Sequence, residues 1–398
     1  MKNGTFIHQK NIYYILSKRA EPALYFIVRF SLCREPEGKN GLAHVSEHVM
    51  LSLIENEIKN IKKAFGFFAH TGYSAIQFNF SQLHNEENII SVYHSIMQAL
   101  RIKTIDKTVL KAAKEHVLKE CRELKLKYSS VVKENKFLTG YKNISLPVGK
   151  VKDVKSITED DVVQFINKNY SNNRFLIVNK NKIKSLANDE IKTVTHNKNI
   201  FNSIKINIKH KKNYLHITAN NLKYQEITFC IKINKNIFKT KYYYLTLLQM
   251  HIIDCMNIFL ENKNYEDEDS APASINIKMI DDENMFAFIN FTSAKTSFQI
   301  FADELLYFIC QTDIKEIKLK KLKAEFINSI EKNYKSNIKM LIMNVLIHIE
   351  YSSPLIITDN LIEAAKKQIK NIDLKTFCSL KKKLLTEENF KIIIEDKE

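Results

Sequence analysis

Alternating apolar stretches predict strands at about 5–17 and 23–34. From about Gly41 to Lys63 the apolar positions take the spacing of a helix face. A further strand is predicted over Phe67–Ser81, where Tyr73, Ala75 and Gln77 alternate before Phe78-Asn79-Phe80. Helical patterns follow at roughly 86–101 and 106–127. Past a loop around Leu146-Pro147-Val148-Gly149, Thr158 is predicted to cap a helix, with Asp161 three residues on to complete the reciprocal cap. A strand at Arg174–Val178 closes this half.

The second half repeats the order. A strand is predicted at Glu226–Ile233, a helix at about 239–262, strands at 273–281 and 284–293, then helices at roughly 296–312 and 314–333 and beyond. The ends of the two halves align without a gap. Ser156-Ile157-Thr158 matches Asn371-Ile372-Asp373, Val162 matches Phe377, Phe165 matches Leu380, Tyr170 matches Leu385, and Phe175 through Val178 match Phe390 through Ile393. The offset is constant at 215 (372 − 157). The expected fold is α+β: two similar tandem domains, each a mainly antiparallel sheet covered by helices, over 1–200 and 201–398. The Asn- and Lys-rich stretch 179–222 is expected to hold the junction.

Composition narrows the class. Of 398 residues, 45 % are hydrophobic and 26 % charged, which is globular rather than disordered. No apolar run approaches the ~20 residues that span a bilayer. Met1-Lys2-Asn3-Gly4-Thr5 carries no apolar signal core, so a cytoplasmic location is expected. Cys33, Cys121, Cys230, Cys255, Cys310 and Cys378 are widely spaced, which reads as reduced thiols and argues against a thiolate zinc site. The net charge of +17 reads either as a solvated surface or as attraction to an acidic partner, such as an acidic peptide or nucleic acid. Lys318-Leu319-Lys320-Lys321 and Lys381-Lys382-Lys383 are not interleaved with stacking aromatics, and no nucleic-acid module motif is present.

The candidate chemistry lies in Gly41-Leu42-Ala43-His44-Val45-Ser46-Glu47-His48. On a helix, residues four apart project from one face, one turn apart, so His44 and His48 can converge on one zinc ion. Glu47 borders the same face and suits a general base toward water. The order H-x-x-E-H inverts the better-known H-E-x-x-H motif. The competing reading is two surface histidines beside a solvated Glu. Catalytic zinc usually takes a third protein ligand. The helix near 106–127 offers Glu115, His116, Glu120 and Glu123, and spacing does not choose among them. The remaining histidines, for example His70, His84, His94, His210 and His251, have no spacing that implicates them.

The segment Gly41–His48 resembles the signature of the pitrilysin/insulinase family of zinc metallopeptidases, which includes the mitochondrial processing peptidases. Ile157-Thr158, Asp160-Asp161, Phe165, Tyr170, Asn173 and Leu176-Ile177-Val178 are similar to that family's helix and strand at the corresponding place. The resemblance covers most of the first 180 residues and is weaker beyond. It implies half of a clamshell chamber, and it selects Glu120, because Val117-Leu118-Lys119-Glu120 is similar to the stretch ending in the carboxylate ligand. The spacing from His48 (120 − 48 = 72) is slightly shorter than usual. The family often places a second Glu seven residues earlier in the outer shell, and Ala113 stands there.

The strand Phe67–Phe80 resembles the family's substrate-binding edge, where an extended peptide adds by backbone pairing. Ala69 and Thr71 match an Asn-Ala-x-Thr pattern, while Phe68 replaces the Asn. A plain half-buried strand fits the alternation equally well. Relatives also carry an Arg and a Tyr near the segment written here Phe259–Ile277, where no Arg occurs and Pro272-Ala273 stand near the expected Tyr. The resemblance therefore implies a zinc endopeptidase of the peptide-processing kind, paired with a homologous partner subunit as a heterodimer, or else a homodimer with altered chemistry. The alternative is a catalytically inactive peptide-binding or scaffold subunit of the same fold.

Overall fold

The computed structural model describes residues 5–32, 35–58, 66–140, 146–188, 214–218, 225–262, 274–279, 284–293, 298–386 and 389–396. Most of the predicted junction and the Pro272-Ala273 pair lie outside the described residues, as does the end of the helix expected to reach Lys63. The chain forms two compact units that are not contiguous in sequence. The first takes Met1–Val132, Asn143–Ile204 and Asn333–Thr358, and the second takes Lys133–Lys142, Lys205–Lys332 and Asp359–Glu398. Relative to a linear cut at residue 200, Lys133–Lys142 and Asn333–Thr358 change sides and the boundary moves to Ile204.

In the first half the elements run β1 (Thr5–Gln9), β2 (Ile12–Leu16), β3 (Ala23–Arg29), α1 (Leu42–Glu57), β4 (Gly66–Thr71), β5 (Ala75–Ser81), α2 (Glu86–Ala99), α3 (Lys107–Glu123), α4 (Lys125–Thr139), α5 (Val151–Ser156), α6 (Glu159–Asn169) and β6 (Asn173–Asn179). The six strands form one sheet in the order β1-β2-β6-β3-β5-β4. Only β2 and β6 pair in parallel. Alternation decides which side chains meet the helices. Leu24, Phe26 and Val28 of β3, Ile76, Phe78 and Phe80 of β5, and Phe175 and Ile177 of β6 join one core with Val45, Val49, Met50 and Ile54 of α1. Phe26 sits at its centre, with ring centroids 5.4 Å from Phe78 and 5.0 Å from Phe175. Emptying such a position costs about 3–5 kcal/mol.

Two predicted elements are hairpins rather than single strands. The stretch 5–17 folds back at Lys10, whose φ is 54°, and Phe67–Ser81 turns between Thr71 and Ala75. The helix expected at 106–127 ends at Glu123, with Leu124 as its cap before α4 begins. Thr158 and Asp161 form the reciprocal cap of α6.

The second half holds β7 (Tyr214–Thr218), β8 (Gln225–Asn234), α7 (Lys235–Thr240), α8 (Tyr242–Asn262), β9 (Ser274–Met279), β10 (Asn284–Ser293), α9 (Phe298–Gln311), α10 (Glu316–Ser336), α11 (Ile338–Tyr351), α12 (Asp359–Lys370), α13 (Leu374–Leu384) and β11 (Phe390–Asp396). Its sheet runs β7-β11-β8-β10-β9. The 215-residue offset carries α6 onto α13 and the cap Thr158 onto the cap Asp373. Pairing repeats as well: β6 lies parallel to β2 and antiparallel to β3, and β11 lies parallel to β7 and antiparallel to β8.

The helix α11 belongs to the first unit. It touches β2, β3 and β6, and its Glu350 carboxylate accepts hydrogen bonds from Ser74 Oγ and, at 3.1 Å, from Gln77 Nε2. A segment from late in the chain thus backs the strand next to β4.

Candidate metal centre

The helix α1 starts without a capping side chain of its own, because its N-cap is Gly41. Glu35 does that work from six residues upstream. Its buried carboxylate accepts from Gly41 N at 3.0 Å and from Ala43 N at 2.8 Å. Burial pushes the Glu35 pKa up to about 8, against the backbone donors that favour the charged form. A second feature fixes the same end. Gly41 (φ 100°) and Gly149 (φ 82°) meet so closely that a Cβ on Gly149 would stand 2.4 Å from Asn40 O and 2.4 Å from Gly41 Cα. The loop Leu146–Gly149 can lie against the helix start only because both residues lack a side chain.

From this anchored start, one helical turn brings ligand atoms of His44, Glu47 and His48 within 4.8 Å of one another. The helix α3 packs beside α1 through buried Ala113, Val117 and Cys121 and brings Glu120 to the pair. Glu120 Oε2 lies 3.4 Å from His44 Nε2, and Oε1 lies 3.4 Å from His48 Nε2. Glu47 Oε2 is 3.9 Å from His44 Nε2 and accepts a 2.6 Å hydrogen bond from Thr71 Oγ1 at the end of β4. His116, one turn before Glu120, sets its ring edge-on to His48 at 5.6 Å. Glu115 and Glu123 have no contact with the imidazoles among the described residues, whereas Glu120 touches both.

Environment separates the titrating groups. Burial lowers the His44 pKa to about 4, which keeps the imidazole neutral, the form that binds metal. Burial raises Glu47 to about 7, with the Thr71 hydroxyl pulling the other way. Contact with His48 and the neighbouring imidazoles lowers Glu120, which is half exposed. Burial opposes protonation of His48, but the carboxylates of Glu120 and Glu47 outweigh it and raise its pKa.

The donor set suits zinc. It joins two imidazoles to a carboxylate, each imidazole Nε2 lying 3.4 Å from a different oxygen of Glu120. His48 Nε2 is buried and lacks a hydrogen-bond partner among the described residues, so a cation there satisfies an otherwise orphaned atom. His44 Nδ1 is orphaned too, without the acceptor that ordinarily holds the outer nitrogen of a metal-binding imidazole.

The expected substrate residues lie on β4, the last strand of the sheet order. Thr71 is buried against Glu47, Ala69 is half buried, and Phe68 is 57 % exposed. Glu35 and the Gly41–Gly149 approach are the parts that the sequence reading missed. The available signal was a glycine at the N-cap, which obliges the helix to take its cap from elsewhere.

No family model matches the sequence. Over 155 residues the chain is 25 % identical to the mitochondrial-processing peptidase subunit beta of Dictyostelium discoideum, a match covering 36 % of this chain and 32 % of that protein. The fold matches the periplasmic protease PqqL of Escherichia coli with a TM-score of 0.74 at 14 % identity, over 100 % of this chain and 48 % of that one. It also matches a peptidase M16 inactive domain from Pseudomonas fluorescens, with a TM-score of 0.70 at 10 % identity over 99 % and 97 % of the two chains. The chain thus spans about half the length of PqqL, and its match to the curated relative spans about a third of that protein. The signature on α1, the matched segment and the shared fold make the chain similar to the pitrilysin/insulinase (M16) peptidases, whose half-clamshell fold it has.

Proposed function

We propose that the chain is a zinc-dependent endopeptidase subunit that cuts extended peptides, with His44, His48 and Glu120 as ligands and Glu47 as general base. The observation that carries this reading is the Glu120 carboxylate 3.4 Å from both imidazoles, with Glu47 held beside them by Thr71. Bound zinc supplies a Lewis acid that polarises the scissile carbonyl and acidifies water. Glu47, with a pKa near 7, accepts the proton of the attacking water and passes it to the leaving amine. Thr71 keeps that carboxylate aimed during the transfer. The open edge of β4 receives the substrate backbone as an added strand, with Phe68, Ala69 and Thr71 alongside it.

The matched relative is called a subunit, which supports a homologous partner chain for this one, a heterodimer before a homodimer. An acidic peptide substrate fits the charge of +17. No helix among the described residues is long and apolar enough to cross a membrane. A cytoplasmic location stays part of the proposal beside a periplasmic neighbour in fold, and fractionation of the native host tests it.

A second reading, an inactive peptide-binding subunit, draws on the orphaned His44 Nδ1 and on the methyl of Ala113 where a supporting carboxylate is expected. Metal analysis and peptide hydrolysis separate the two. One zinc per chain, lost in His44→Ala and Glu120→Ala, is expected. Glu47→Gln is expected to keep the zinc and lose hydrolysis. Wild-type chain that binds no zinc ends the peptidase reading.

A further inference from the structure

Phe68 is the only phenylalanine among the described residues that is largely exposed, at 57 %. It lies on β4, whose alternation divides its side chains between two faces. Phe67 lies against Phe80 at 6.4 Å and Thr71 bonds Glu47, so Phe67, Ala69 and Thr71 turn toward the helix layer. Phe68 and His70 take the opposite face. There Phe68 pairs across to Asn79 of β5, and Asn79 pairs onward to Tyr25 of β3. The three side chains make one row from the open edge inward, and the Oδ1 of Asn79 within it has no hydrogen-bond partner. A large apolar ring at the outer end of such a row is costly to leave in water.

We infer that Phe68 is a specificity-determining residue: it selects a large apolar side chain on the peptide strand that adds to β4. This deepens the proposed peptidase reading and rests on the same strand addition. A residue directly across from Phe68 on an added strand has its Cβ about 4.5–5.5 Å away and on the same face. Phe68 lies three residues from Thr71, about 10 Å along the strand, and Thr71 holds the base. The selected side chain therefore stands about three residues from the cleaved bond. Backbone pairing alone would accept any sequence, and the aromatic side chain adds a preference to it.

The test uses the full zinc-loaded chain carrying Glu47→Gln, so that peptides bind without being cut. Fluorescein-labelled extended peptides differ at one scanned position, which holds Phe, Leu, Ser or Asp. At one position, Phe and Leu are expected to bind at least about threefold tighter than Ser. Phe68→Asn is expected to erase that difference and Phe68→Leu to retain it. No preference at any position, a preference that survives Phe68→Asn, or no binding of any peptide overturns the inference. So does a Phe68→Asn variant that loses a partner chain while its peptide preference is unchanged. Hydrolysis by the chain with Glu47 intact is scored separately. Cleavage without dependence on Phe68 defeats the subsite alone, and dependence on Phe68 without cleavage defeats the peptidase reading alone.

Discussion

Replacing Gly149 by Ala tests whether the start of α1 is held by the close approach of two backbones. The added methyl would stand 2.4 Å from Asn40 O, 2.4 Å from Gly41 Cα and 2.7 Å from Gly41 N, all of them backbone atoms that cannot swing aside. Two costs add. An L-residue at φ 82° pays about 1–2 kcal/mol for the left-handed backbone. Pushing apart packed groups pays about 1–3 kcal/mol more. Gly38 supplies the control. Its φ is 75°, yet a Cβ there meets nothing within 4 Å, so Gly38→Ala pays only the first cost. The gain from a less flexible unfolded chain is common to both and cancels.

Gly149→Ala is therefore expected to lose about 1–3 kcal/mol more than Gly38→Ala. Urea unfolding followed by circular dichroism gives the difference in stability. Amide hydrogen exchange on peptides covering Leu42–Glu57 assigns it to α1, and chelator competition shows whether zinc affinity falls with it. Equal losses in the two variants would refute the argument, because the strain of a positive φ would then account for everything.

Two further outcomes follow from named contacts. Thr71→Val leaves the buried Glu47 carboxylate short of its 2.6 Å donor, a deficit of about 1–3 kcal/mol, so kcat for peptide hydrolysis should fall roughly tenfold or more at unchanged zinc content; an unaltered kcat sinks the positioning role. Glu35, with a folded pKa of about 8 against about 4.3 in unfolded chains, holds its proton in the folded state after the unfolded state has released it. Its contribution to stability is full below about pH 4.3 and is lost as pH rises toward 8, by up to about 1.4 kcal/mol per unit. Glu35→Gln should flatten urea midpoints across that window, and a slope matching the wild type would show that Glu35 does not titrate there.

Parts of this molecule follow from local pattern and parts do not. The four-residue spacing of His44 and His48 needs only a helix to bring them together. The offset of 215 residues finds α13 and its cap because capping is set by neighbours in sequence. Hairpins are harder to read. The turn at Lys10-Asn11 contains neither Gly nor Pro, and only the short polar run His8–Asn11 separates the apolar residues on either side. The break at Leu124 is equally unmarked. Choosing Glu120 over Glu115 or Glu123 requires the packing of α3 on α1, a tertiary fact that helix periodicity does not contain. The return of α11 to the first unit is more remote still, since its contact with Ser74 spans 276 residues.

Three glutamates within one small region show how surroundings, rather than residue type, assign the work. Glu35 and Glu47 are both buried, but their partners differ. Backbone N–H groups at a helix start hold Glu35, so moving it would unwind the helix. A single hydroxyl holds Glu47 and leaves one oxygen without a protein donor among the described residues, so it can take up and release a proton while the fold stays fixed. Glu120 is half exposed and faces two imidazoles, so it stays ionised and suits the binding of a cation. Exchanging any two of these environments would leave the composition of the centre unchanged. The helix anchor, the base and the ligand would then no longer be separate groups, which is why the contacts of Glu35 and Thr71 belong to the proposed chemistry as much as the histidines do.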